Sequence, residues 1–186
     1  MALLRGINVL GRNKVSMADL RLVVASLGHR EVATYIQSGN VVFAAADPCA
    51  KESALADSLA AAVADRLAVR PAVVVVSRTR FRRVIRANPF PQVQDPKTLH
   101  AIFLRGVPGA DAIRSVTAAV ERAKAMGSRD EARVIGGTLY LWTPDGFARS
   151  VLRAELDRGG RSKSPMHAGT ARNWATVETI ASLLDL

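Results

Sequence analysis

With 186 residues, 49% of them hydrophobic and 23% charged, the chain has the composition of a globular protein and not of a disordered or fibrous one. Its longest apolar runs, such as 59–64 and 72–76, fall far short of the roughly 20 residues a membrane-spanning helix requires. The net charge of +10 and pI of about 10.9 favour anionic partners such as nucleic acid, nucleotides or acidic metabolites. Arginine greatly outnumbers lysine and alanine and valine abound, a combination that GC-rich coding also produces, so spread charge has to be told apart from focused charge. The one cysteine, Cys49, excludes an intrachain disulfide and suits a reducing compartment. Arg5, Asn8, Arg12 and Lys14 interrupt the opening apolar stretch, so no leader pattern is expected and the location expected is cytoplasmic.

Ala2 to Val9 reads as a first strand followed by a Gly/Arg/Asn/Lys loop. Ser16 is placed to N-cap a helix, with Met17, Leu20, Val23, Val24 and Leu27 on one face and Gly28 as the stop. Val32 to Ile36 and Asn40 to Ala44 form a hairpin about Gln37-Ser38-Gly39, because glycine can take the positive φ of a tight turn. Leu55, Leu59, Val63 and Leu67 recur every four residues over 51–67 and give an amphipathic helix, and Ala72 to Val76 supplies a continuously apolar fourth strand. Ser77 or Thr79 can cap a short third helix carrying Phe81, Val84 and Ile85, ended by Asn88-Pro89-Phe90-Pro91, and 91–98 reads as a linker.

The second part repeats this order: strand Leu99 to Leu104, helix 110–126, hairpin Ala132 to Trp142 turning at Gly136-Gly137, and helix 147–156. A Gly/Ser/Pro loop from Gly159 to Gly169 then stands where a closing strand is expected, before a final helix with Trp174, Val177, Ile180 and Leu184 on one face. Leu4-Arg5-Gly6 and Leu104-Arg105-Gly106 fall at equivalent positions, as do the two hairpin turns, which favours internal duplication. The fold class expected is α+β: two tandem ferredoxin-like halves with antiparallel sheets, βαββαβ over 1–90 and βαββα with a C-terminal helix over 98–186.

Donor-rich positions gather at strand ends and helix starts. Arg5 and Asn8 lead into the loop holding Arg12, Asn13 and Lys14 beside a helix N-terminus, a plausible anion pocket or a merely solvated connection. Ser38 and Asn40 surround the first hairpin turn, although turns use these residues anyway. Arg149 and Ser150 follow Pro144-Asp145-Gly146, and Thr170, read as an N-cap, with Arg172 and Asn173 opens the last helix. Arg78, Arg80, Arg82, Arg83 and Arg86 surround the third helix, which suits phosphate contacts or a solvated face, while Tyr35 and Phe43 are too few for an aromatic RNA-recognition sheet. No nucleophile elbow, phosphate-binding glycine loop, dinucleotide fingerprint or metal-spaced cluster occurs, and His29, His100 and His167 stand singly. No cofactor, metal or catalytic residue is assigned from these patterns.

Taken together, Ala2-Leu3-Leu4-Arg5-Gly6-Ile7-Asn8-Val9, Tyr35-Ile36-Gln37-Ser38-Gly39-Asn40-Val41-Val42-Phe43, Asn88-Pro89-Phe90, Leu139-Tyr140-Leu141-Trp142 with Pro144-Asp145-Gly146, Arg149-Ser150 and Gly169-Thr170-Ala171-Arg172-Asn173-Trp174 resemble a bacterial family catalogued as domain of unknown function 1697. The chain departs from that pattern where Leu10 precedes Gly11 in place of paired glycines. The resemblance implies membership, and that Arg5, Asn8, Lys14, Ser38, Asn40, Arg149, Ser150, Arg172 and Asn173 belong to a shared pattern; it carries no activity with it.

The leading expectation is a protein that binds an anionic small molecule or nucleotide through these nine residues, in a cleft between the halves. Three alternatives stand beside it. They are a nucleic-acid binder acting through the arginine cluster, an enzyme using Lys14, Ser38 or Tyr35 without a recognisable motif, and an interaction module or homodimer using an open sheet face.

Overall fold

The computed structural model describes residues 1–9, 11–158, 164 and 166–185. Leu10, and most of the loop expected over 159–169, lie outside the described residues. The chain divides into two compact units, Met1–Phe81 and Arg82–Leu186. No helix among the described residues is long and apolar enough to cross a membrane.

The first unit contains β1 (Ala2–Arg5), α1 (Met17–Ser26), β2 (Arg30–Tyr35), β3 (Asn40–Ala44), α2 (Glu52–Leu67) and β4 (Ala72–Val75), and α3 (Arg78–Arg86) follows. Ser16 caps α1 as its sequence position predicts, its side chain accepting from the Asp19 amide at 3.0 Å. The sheet order is β2-β3-β1-β4 with each neighbouring pair antiparallel. Strand alternation turns Ala2, Leu4, Val41, Val73 and Val75 to one face, where α1 (Leu20, Val23, Val24) and α2 (Ala56, Leu59, Val63) complete a buried core. Leu3 and Val74 on the other face are buried too, which explains why β4 is apolar without alternation.

The second unit contains β5 (Leu99–Leu104), α4 (Ala110–Ala125), β6 (Glu131–Ile135), β7 (Thr138–Trp142), a 3-10 turn at Phe147–Arg149, α5 (Val151–Leu156), β8 (Gly169–Asn173) and α6 (Trp174–Leu183). Its sheet order is β6-β7-β5-β8, again antiparallel throughout. Ile102, Leu104, Leu139 and Leu141 pack under α4 (Val116, Ala119, Ala123) and α5 (Leu152, Leu156). On the opposite face Tyr140 is fully buried, and its hydroxyl donates to the Val84 carbonyl at 2.7 Å. The protein is therefore α+β, with two four-stranded antiparallel sheets and six α-helices among the described residues.

One expectation is corrected. The second half does close with a strand, since β8 pairs along β5 from Leu104↔Gly169 to His100↔Asn173. Gly-Thr-Ala-Arg-Asn has neither the β-branched enrichment nor the apolar run that marks a strand in sequence. It is extended because the open edge of β5 has backbone groups to satisfy. Thr170, expected as a helix N-cap, therefore lies within β8, and Asn173 takes the capping role by accepting from the Thr176 amide at 2.9 Å.

The registers make the repeat explicit. Leu3 faces Val74 and Phe103 faces Thr170, so Val74 and Thr170 are equivalent, and three residues later so are Ser77 and Asn173. Ser77 accepts from the Arg80 amide at 3.2 Å at the start of α3, as Asn173 does for α6. The repeated order is thus β-α-β-β-α-β-α, with α3 and α6 as counterparts.

Gly169 stands where β8 runs hard against β5: a Cβ there would lie 2.3 Å from the Phe103 carbonyl oxygen. The two nearest atoms belong to the Phe103 backbone, which cannot yield as the end of a side chain would. Gly169→Ala is expected to lower stability by about 1–3 kcal/mol, read as a lower urea midpoint at unchanged m-value; a midpoint equal to wild type would show that β8 is not so tightly seated.

Candidate functional site

The loop between β1 and α1 is built around an amide side chain. Asn8 takes a left-handed conformation, φ 53°, which short amide side chains tolerate better than most. Its Nδ2 donates to the Val15 carbonyl at 2.9 Å and to the Gln37 carbonyl at 2.9 Å, while its Oδ1 accepts from the Val15 amide at 2.8 Å. Asn13 Nδ2 donates to the Gly6 carbonyl at 2.6 Å, and the Asn8 amide donates to the Asn13 carbonyl at 3.0 Å. One side chain thus closes the loop onto itself and fastens it to the β2–β3 turn. The Val9 carbonyl accepts from the Arg12 amide at 2.9 Å, and Arg12 and Lys14 are exposed on the surface of the loop.

The β2–β3 turn is fixed as firmly. Asn40, 1% exposed, donates through Nδ2 to the Tyr35 carbonyl at 3.0 Å and to Ser38 Oγ at 3.0 Å. Gly39 (φ 77°) donates its position to close packing, since a Cβ there would lie 2.8 Å from both Leu4 Cβ and Ile7 Cδ1. Its carbonyl accepts from the Leu4 amide at 2.8 Å, and the equivalent Gly137 carbonyl accepts from the Leu104 amide at 3.0 Å. The Leu-Arg-Gly repeat seen in the sequence therefore marks the residue that pins each hairpin turn to the end of the central strand. Arg5 follows that residue, half-buried, opposite Ala72 of β4.

In the second unit the polar residues organise helix starts. Ser150 Oγ accepts from the Arg153 amide at 2.9 Å, capping α5, and donates to Oδ2 of the buried Asp130 at 2.9 Å; Asp130 also accepts from the Leu152 amide at 3.2 Å. Asn173 caps α6 as described. Arg172 is buried, with Nη1 donating to Thr170 Oγ1 at 2.8 Å and to the Ala171 carbonyl at 2.8 Å. Burial pushes its guanidinium down to about 10, which leaves it protonated at neutral pH. Arg149 is exposed.

Of the nine residues singled out by sequence, the structure joins Asn8 to the β2–β3 turn that bears Ser38 and Asn40, with Lys14 beside it in chain order and Arg5 on the same strand end. Arg149, Ser150, Arg172 and Asn173 belong to the second unit. Sequence reasoning did not find Asp130, the acid beneath Ser150, because a lone aspartate before a strand looks like turn chemistry. Nor did it find Gln37, which takes part through its backbone carbonyl and so leaves no side-chain signal.

The histidines answer a different constraint. His100, on β5, stacks on Phe147 with centroids 4.2 Å apart, and its Nδ1 is buried with no hydrogen-bond partner among the described residues. Loss of hydration pushes its pKa down to about 4, a hydrogen bond with the Thr98 backbone opposing that shift. His29 stacks on Phe43 and accepts from the Ala46 amide at 3.1 Å, and burial lowers its pKa as well.

The architecture places the chain among α+β proteins with a repeated four-stranded antiparallel sheet. A family model described as Protein of unknown function (DUF1697) matches residues 1–140, and the chain belongs to that family. It is similar over 98% of its own length and 96% of the other chain to a solved structure, the conserved bacterial protein SP0830 from Streptococcus pneumoniae, at 25% identity and a TM-score of 0.69. Comparison with curated proteins finds no match.

Two outcomes follow from this geometry. Asn8→Ala removes three hydrogen bonds and strands the Val15 backbone, so stability should fall by about 1–3 kcal/mol in urea unfolding; a loss under about 0.5 kcal/mol would mean the loop holds without its clip. His100 is neutral in the folded protein down to about pH 4, whereas in the unfolded chain it takes up a proton near 6.5. Between those values the unfolded state binds more protons, so stability falls as pH drops through that window. His100→Gln should flatten this part of the stability profile, and an unchanged slope would overturn the assignment.

Proposed function

We propose that this protein binds an anionic small molecule or a nucleotide phosphate, with the loop after β1 and the β2–β3 turn as the binding surface of the first unit. Arg5, Lys14 and Ser38 contact the ligand, and Asn8 and Asn40 hold the contacting segments in place. The observation that carries this reading is the set of three Asn8 hydrogen bonds, two of which close the cation-bearing loop on Val15 while the third fastens it to the Gln37 carbonyl of the turn before any ligand arrives. Such preorganisation lowers the ordering cost of binding. From Gly6 to Ser16 the chain carries Arg12 and Lys14 and no acid, which supports an anion over a cation. Arg149, Ser150, Arg172 and Asn173 form a second group of donors in the same proposal, and exposed Arg149 is the one open to solvent. We take 1–90 and 98–186 as the two halves, and the strand orders, with β1 and β5 central and antiparallel to both neighbours, support a ferredoxin-like class for each. No catalytic residue is assigned.

Calorimetric titration with pyrophosphate, ATP, GTP and citrate tests the reading. Lys14 and Arg12 are exposed, so replacing both by alanine leaves folding intact and should weaken the best ligand about tenfold or more. If none of the four produces binding heat, or the double variant binds as wild type does, the proposal fails.

A further inference from the structure

Helix α3 reads Arg-Thr-Arg-Phe-Arg-Arg-Val-Ile-Arg: five arginines in nine residues and no acid, against a whole-chain excess of +10. At 100° per residue, Phe81 and Val84, both buried, share one side with half-buried Ile85 and Arg80. Arg78, Arg82 and Arg86 then fall in line at i, i+4 and i+8, with Arg83 beside them, and all four are exposed.

Helix α4 treats arginine differently. On α4, Arg114 pairs with Asp111 and Arg122 reaches Glu155 at 2.6 Å, while Arg158, just after α5, reaches the same Glu155 at 3.1 Å. On α3 the half-buried Arg80 is matched in this way, its Nη1 lying 2.7 Å from Glu52 Oε2. Among the described residues no ion pair reaches Arg82, Arg83 or Arg86. Like charges three and four residues apart disfavour a helix, and a nine-residue helix has little stability of its own. Stability therefore does not account for the ridge, and GC-rich coding does not account for the absence of acids on this helix alone.

We propose that the exposed ridge Arg78-Arg82-Arg83-Arg86 is a docking surface for the phosphodiester backbone of double-stranded nucleic acid. Charge complementarity selects the occupant. A row of guanidiniums repeating about every 6 Å along a helix faces a polymer whose duplex carries one charge per roughly 1.7 Å of axis. All four cations are arginine, whose planar fork takes phosphate oxygens two at a time. The one aromatic residue of α3, Phe81, is buried, so the ridge offers no platform for stacking unpaired bases, and contacts to the backbone alone read no sequence. This surface is separate in residues from the loop proposed above to hold a small anion.

Fluorescence anisotropy with labelled duplex DNA and duplex RNA of one sequence, at rising sodium chloride, tests the proposal. Four phosphate contacts predict a slope of log affinity against log salt near about −3 to −4. Arg82→Gln, Arg83→Gln and Arg86→Gln together should lower that slope by about three and weaken binding at least tenfold, since each phosphate contact contributes about one to the slope. The control triple Arg30→Gln, Arg66→Gln and Arg70→Gln removes equal charge at other exposed sites and should weaken binding much less. Circular dichroism of both triples guards against loss of fold. Equal losses in the two triples, absence of duplex binding at low salt, or ridge-dependent binding to phosphatidylserine vesicles with none to duplexes would each overturn it. Preference between DNA and RNA duplexes identifies which of the two phosphodiester sources is taken.

Discussion

Each sheet depends on how its central strand is held. β1 and β5 have strands on both sides, both antiparallel, and their last leucine, Leu4 or Leu104, donates its amide to the carbonyl of a hairpin-turn glycine. That hydrogen bond sets the register of the hairpin against the central strand. Because side chains alternate across a sheet, register decides which of them reach the helices, and a slip of β1 by one residue would turn Leu4 away from α1 and α2 and Leu3 toward them. The packing of α1 and α2 in one unit, and of α4 and α5 in the other, follows from that choice.

The same constraint governs the polar residues. The turn that bonds to Leu4 also receives Asn8 from the loop after β1, so strand end, loop and turn form one hydrogen-bonded assembly. Buried polar groups that are fully satisfied specify a unique arrangement at modest net gain in stability. Asn40 does this inside the turn, and Asp130 with Ser150 does it at the start of α5. The cations lie outside these networks: Arg12, Lys14 and Arg149 are exposed. Hydrogen-bonded side chains inside and exposed cations outside is an arrangement suited to presenting charge from a fixed base.

Much of the fold is legible in the sequence where local and tertiary demands agree. The helix after Ser16 has a cap, an apolar face and a glycine stop; the two hairpins have glycine turns between β-prone segments. β8 is illegible because its conformation comes from the unpaired edge of β5 and not from Gly169-Thr170-Ala171-Arg172-Asn173 itself. The candidate residues show a different limit. A sequence shows that asparagine and serine gather at strand ends, but the partners of Asn8 are backbone carbonyls at Val15 and Gln37, and backbone groups are the same at every position. Asp130 escapes notice for a related reason, since its burial beneath Ser150 is set by the second unit's packing.

The counterparts Ser77 and Asn173 couple strand to helix. Asn173 is the last residue of β8, and Ser77 follows β4 by the single residue Val76, whose amide still donates to the Met1 carbonyl at 2.9 Å; each begins a helix by capping it, which leaves little chain to absorb a change. The azimuth of the helix is then inherited from the sheet: moving β4 by one residue would move the cap by one residue and swing every α3 side chain through about 100° about the helix axis. Which way the arginines of α3 look is thus decided by valines and alanines in the neighbouring strand, so a mutation that never touches a charged residue could re-aim the whole basic surface.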